Sequence, residues 1–199
     1  MFLILFDIFR LCVLALTDGP VKTLLPLHVC SFSIYMILVD ALWPKNRFTK
    51  QPMAFIILPS AIMALLFPTV TAYPPISFYA IHQFLLHGAM ASYSIARYAA
   101  GEIRPRYRGL WLSVLLAVIL AVPIYTLNQH FETNYMFLRN HSNNPALKML
   151  WNVSGGNGGI PYVLMIALFV IFVLHIVFVI YVVVNGVGKR RIKKEDDKK

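Results

Sequence analysis

Leu25-Pro26-Leu27-His28-Val29-Cys30 puts a proline, a histidine and a cysteine at the opening of a long apolar run. Proline is tolerated in the first turn of a helix, where its missing N–H has no partner to lose. Pro26 is therefore expected to open a helix, with Cys30 about one turn inside it. At that position the positive end of the helix dipole favours the thiolate, the nucleophilic form of cysteine. The competing reading is a small buried apolar side chain, the usual fate of a lone cysteine. The other cysteine, Cys12, lies mid-run between Leu11 and Val13, so a structural disulfide is not expected.

A nucleophile needs a base, and histidine is the usual one. His82 and His87 stand in a later apolar run, and ionisable residues inside membrane helices default to function. Gln83 and His87 are four apart and share a helix face, whereas His82 points elsewhere. His28 is two residues from Cys30, so on a helix the two diverge. Packing at the helix mouth or contact with a lipid headgroup suits His28 better than acting as the base. His175, isolated between Leu174 and Ile176, reads as a hydrogen-bonded core histidine. Asp40 and Arg97 sit near helix ends and read as a pair or as snorkelling side chains, without chemistry. No metal site and no cofactor are expected. The chain has no glycine-rich phosphate loop, and two histidines at five-residue spacing do not share a face for a helix-borne metal pair.

These residues must be positioned by a membrane bundle. The chain has 199 residues, 59% of them hydrophobic and 13% charged, and a mean hydropathy of +0.68. Ordinary soluble domains are far less apolar. Six apolar runs follow one another: 2–16, 24–43, 52–67, 76–98, 109–127 and 160–185. The first run carries Asp7 and Arg10, three apart and able to pair on one face. Asp18-Gly19-Pro20 breaks the chain after it, and Pro59 predicts a kink in the third run. The expected fold is an all-α bundle of about six transmembrane helices over residues 1–188. A basic tail, 189–199, is expected to be solvated and disordered.

The net charge of +10 does not imply nucleic acid, because the basic residues cluster in short loops between apolar runs. The second loop, the fourth loop and the tail hold fourteen Lys and Arg, counting Arg97, against three in the other loops. Positive loops stay inside, so both termini are expected in the cytoplasm. Cys30, His82, Gln83 and His87 then approach the outer face, as does the polar loop 128–159. That loop holds Asn128, Asn134, Tyr135 and Arg139, and its mixed centre, Thr133–Arg139, reads as a segment dipping back into the bundle. Gly155-Gly156-Asn157-Gly158-Gly159 reads as a flexible hinge.

Leu25–Cys30, Phe84-Leu85-Leu86-His87-Gly88 and Thr133-Asn134-Tyr135-Met136-Phe137-Leu138, with Asn128 before the last, resemble the bacterial YwaF family of integral membrane proteins. The resemblance runs over roughly residues 5–185 in the same order. That family is similar to a eukaryotic transmembrane acyltransferase of ether phospholipids and, distantly, to the androgen-induced-gene hydrolases. The resemblance implies a bacterial cell membrane, Cys30 as nucleophile and His87 as its base. Family members usually carry one more helix before the first run seen here.

The function expected is a membrane-embedded lipid acyltransferase or acyl hydrolase working through a Cys30 thioester on membrane lipids. Asn128, Asn134 and Tyr135 are the candidate oxyanion donors, and Arg139 is the candidate for holding a lipid phosphate. Counted from the run starts, His82 matches the depth of Cys30 better than His87 does, so His82 is the alternative base. A rival of another class is the substrate-binding membrane component of a small-solute importer, which would not need Cys30.

Overall fold

The computed structural model describes residues 2–16, 25–69, 74 and 76–196. The Asp18-Gly19-Pro20 break lies outside the described residues. Seven helices and no strand occur among those described. They are α1 (Phe2–Leu16), α2 (Val29–Leu42), α3 (Lys50–Leu66), α4 (Phe78–Ala99), α5 (Tyr107–Phe131), α6 (Pro145–Val153) and α7 (Gly159–Asp196). A short 3-10 turn, Tyr135–Phe137, lies between α5 and α6.

Local chemistry accounts for most of these bounds. Ser77 caps α4 by accepting from the Ala80 N–H at 3.3 Å. Asn144 caps α6, accepting from Ala146 and Leu147, with Pro145 at the first helical position. Pro59 does disturb α3: the turn before it, Met53–Ile57, is π-helical, and the Leu58 N–H reaches back to the Met53 carbonyl. A proline ring removes one ladder bond and crowds the preceding turn, and the widened turn accommodates it.

Three expectations change. α2 starts at Val29, not Pro26: the Leu27 N–H turns back to the Leu25 carbonyl at 2.8 Å, and His28 is extended, with φ −81° and ψ 154°. The glycine segment is a built turn rather than a hinge. Gly155, Gly156, Gly158 and Gly159 all have positive φ, and a Cβ on Gly158 would collide with the Trp151 ring. The tail is helical as far as Asp196, so α7 runs 38 residues, about 57 Å at helical rise.

α5 and α7 are long and apolar enough to cross a membrane. Their most apolar windows are only 17% and 6% buried, so neither is the core helix of a soluble protein. Leu164, Leu168, Phe172 and Val179 of α7 are all more than half exposed, the outward apolar surface a lipid phase would cover. α2 and α3 are shorter apolar helices.

Contacts sort the helix ends into two groups. At one end the Leu25 N–H meets the Tyr135 hydroxyl, and the Asn144 amide donates to the Phe67 carbonyl at 2.8 Å. At the other, Arg97 donates to the Pro44 carbonyl, and Gln51 joins Arg104 and Arg106. The main core between the ends is built from Ile34, Ile37, Phe55, Leu86, Met90 and Leu174, among others. A second cluster, Ile124, Tyr135 and Leu138, lies under the loop after α5. That loop therefore does dip back into the bundle.

Candidate functional site

Cys30 is the second residue of α2, closer to the helix mouth than one turn. Its side chain packs against the main core, and the adjoining Ser31 is buried. Cys12 is exposed, and both cysteines are free. The first-turn N–H groups of α2 have few internal acceptors, as at any helix start. Those of Ser31 and Phe32 share the His28 carbonyl, at 3.1 and 3.3 Å.

Three neighbouring elements close on this mouth. From α1, Asp7 and Arg10 form the expected pair, Arg10 Nε to Asp7 Oδ1 at 2.9 Å. Both charges act on Cys30, and the Arg10 charge also acts on His28, His82 and Tyr135. From α4 comes His82, 4% exposed, its ring stacked on Phe6 at 4.6 Å. Its Nε2 lies 3.9 Å from Asp7 Oδ1, beyond hydrogen-bond range, and has no hydrogen-bond partner among the described residues. Such an orphaned buried nitrogen is rare enough to mark a site.

His87 is also buried, at 6% exposed. Its Nδ1 lies 2.7 Å from the Gln83 carbonyl oxygen. A carbonyl only accepts, so Nδ1 carries the proton and Nε2 keeps its lone pair. Gln83 turns to α3, its amide donating to the Ala64 carbonyl at 3.5 Å. Among the described residues no hydrogen bond joins Cys30 to either histidine.

The fourth element is the loop after α5. His28 faces it, with its ring 5.3 Å from Tyr135 and 5.6 Å from Phe137, which is the mouth packing expected of it. Tyr135 is 2% exposed, and burial pushes its phenol above the ordinary tyrosine range. Its hydroxyl accepts from the Leu25 N–H. Asn128, fully buried, accepts from Thr133 Oγ1 and the Tyr135 N–H and donates to the Tyr135 carbonyl. Asn134 donates to Asn140 and Ser142 and accepts from the N–H groups of Arg139 and Asn140. Both amides are thus engaged in holding the loop, which is a supporting role rather than that of an oxyanion donor. The Arg139 side chain is 37% exposed and 3.9 Å from Glu132.

Asp7, Arg10 and Ser31 join this site without having been expected there. An ionic pair inside an apolar helix is the signal the sequence offers for the first two; nothing in it singles out Ser31. His175, by contrast, is hydrogen-bonded as expected, Nδ1 to the Ile171 carbonyl at 2.8 Å, with its ring edge-on to Tyr107 and Trp111.

Asp40 and Arg97 are also more than a snorkelling pair. Asp40, fully buried, accepts from Thr49 Oγ1 at 2.6 Å, Lys50 Nζ at 2.6 Å, Tyr93 at 3.0 Å and Arg97 Nε at 2.8 Å. This hub joins α2, α3 and α4 about 15 Å along α2 from Cys30.

No curated protein and no solved structure matches the chain. A family model does, over residues 1–181. The chain, an all-helical protein with two helices fit to cross a membrane, belongs to the TMEM164 family of membrane proteins.

Proposed function

We propose that this protein is a membrane acyltransferase or acyl hydrolase in which Cys30 carries the acyl group as a thioester. The observation that carries the proposal is Cys30 at the mouth of α2, with α1 bringing the Asp7–Arg10 pair to the unpartnered His82 nitrogen of α4. The motif resemblance to the YwaF family and its acyltransferase relative supports it.

The apolar wall behind Cys30 deprives a bare thiolate of solvation, so the site has to supply a base rather than rely on free ionisation. His87 Nε2 takes the thiol proton, and the sulfur attacks the acyl carbonyl of a membrane lipid ester. Oxyanion donors come from the Val29 and Cys30 N–H groups at the start of α2, ahead of the two that bond the His28 carbonyl. Collapse of the tetrahedral intermediate expels the lipid oxygen, which recovers the proton from His87, and leaves Cys30 acylated. An acceptor hydroxyl, an amine or water then gives its proton to His87 and attacks the thioester, expelling the Cys30 thiolate. His82 is the competing base, favoured by sharing the Asp7 and Arg10 charges with Cys30. Arg139, at the loop rim, is the candidate for holding a lipid phosphate.

The proposed setting is a bacterial cell membrane crossed by α1, α2, α3, α4, α5 and α7, with both termini cytoplasmic and Cys30 toward the outer side. The two groups of helix ends support this topology: contacts join loops of like parity, 25 with 135 and 67 with 144, and 44–51 with 97–106.

The test is labelling of intact membranes with an activity-based probe for nucleophilic thiols, followed by analysis of lipid acyl composition. Probe labelling at Cys30 with altered ester lipids on expression is the expected result. Unchanged lipids in wild-type cells, or full activity in a well-expressed Cys30→Ala variant, would remove the covalent mechanism and favour the importer-component reading.

A further inference from the structure

At the end of the bundle away from Cys30, a cavity of about 490 Å³ opens between the 44–50 segment and Glu102. Its lining brings Lys45, Arg47 and Lys50 together with one carboxylate, Glu102. The floor of this cavity is neutral. Lys50 Nζ lies 2.6 Å from Asp40 and 3.8 Å from Glu102, and Arg97 pairs with the same two carboxylates. Two cations and two carboxylates cancel.

Lys45 and Arg47 are what remain: both are exposed, and neither pairs with a carboxylate among the described residues. The segment that carries them is held in place. Asn46 accepts from the Thr49 N–H at 3.0 Å and its amide donates to the Trp43 carbonyl, while Arg97 donates to the Pro44 carbonyl. A fixed cradle loses little freedom on binding. Trp43 and Phe48, 64% and 68% exposed, stand beside it as aromatic anchors do at headgroup level.

We propose that this cavity binds the phosphomonoester of an anionic lipid headgroup. Two uncompensated cations match a dianionic phosphate better than a singly charged phosphodiester, and basic pockets between membrane helices recognise such headgroups. The site is independent of the Cys30 chemistry.

Intact-protein mass spectrometry of the full chain, in micelles carrying equal phosphatidic acid, phosphatidylglycerol and phosphatidylcholine, tests the assignment. Wild type retains phosphatidic acid above both other lipids. Lys45→Gln/Arg47→Gln lowers that retention about tenfold, while Arg106→Gln/Arg108→Gln, an equal charge loss on the adjoining segment, leaves it within about twofold. Equal losses in the two double variants would reduce the effect to general surface charge and overturn the site. Absence of lipid preference in wild type overturns it without any variant. Millimolar inorganic phosphate displacing the lipid from wild type at equal concentration would identify a free-phosphate site and overturn the lipid assignment.

Discussion

The Tyr135 hydroxyl accepts a hydrogen bond from the Leu25 N–H at 3.1 Å, closing 110 residues of chain onto the mouth of α2. Leu25 lies ahead of α2, so its N–H has no helical partner. Tyr135→Phe leaves that N–H unsatisfied beside a buried ring, at a cost of about 1–2 kcal/mol. Hydrogen exchange should show faster exchange at Leu25, with the middle of α4 unchanged. Equal protection in the variant would mean another group holds the mouth.

The two histidines predict different labelling patterns. If His87 is the base, His87→Ala abolishes thiol-probe labelling of Cys30 near pH 7, and labelling returns at high pH as the thiol ionises unaided. If His82 is the base, the same pattern belongs to His82→Ala. Cys30→Ser should lose most acyl transfer because a serine proton is far less acidic, and Cys12→Ser should keep all of it. Full labelling in both histidine variants at neutral pH would show that neither histidine activates the thiol.

Asp40 is fully buried and faces two cations, Lys50 and Arg97. Asp40→Ala leaves the two charges with only the half-exposed Glu102 and should cost about 3 kcal/mol, read as loss of folded protein on thermal unfolding. Asp40→Asn, which keeps the shape but not the charge, should fall between the two. A wild-type melting temperature in Asp40→Ala would show that the hub contributes nothing to stability.

A Cβ at position 109 would strike the Gln51 side chain, which bridges α3 to the Arg104 carbonyl and the Arg106 N–H at 3.1 Å each. Gln51 is flexible enough to swing away, so Gly109→Ala should lose those two bonds rather than the fold, about 1–2 kcal/mol. Gln51→Ala should cost a similar amount, and the double variant no more than either alone. Additive losses in that cycle would refute the shared cause.

The proposed orientation is checked with single cysteines introduced into a Cys12→Ser/Cys30→Ser background. A membrane-impermeant thiol reagent on intact cells should label Asn143→Cys and leave Lys193→Cys untouched. The reverse pattern would turn the bundle over and move Cys30 to the cytoplasmic side.

The helical segments themselves are legible in the amino-acid sequence alone. A run of apolar residues bounded by proline, glycine or charge reports on its own neighbours in the chain, and helix formation depends on those neighbours. α1 spans the expected residues, α3, α4 and α5 start or end within a few of them, and the disturbance at Pro59 lies where the residue type requires it. The Asp7–Arg10 pair is equally local, being three residues apart on one helix.

Tertiary structure decides what those segments bring together. That Asp7 and Arg10 face Cys30 and His82 depends on how α1 packs on α2 and α4, which no spacing within α1 encodes. The Asp40 hub gathers donors as far as 57 residues away, so Asp40 alone reads only as a charge near a helix end. Asn128 and Asn134 look available as oxyanion donors because a sequence shows which polar groups exist and not which are already bonded. The start of α2 turns on the same kind of fact. Pro26 is locally compatible with opening a helix, but the Leu25–His28 segment is held by Tyr135 and Phe137 from a distant loop, and long-range contacts override the local preference.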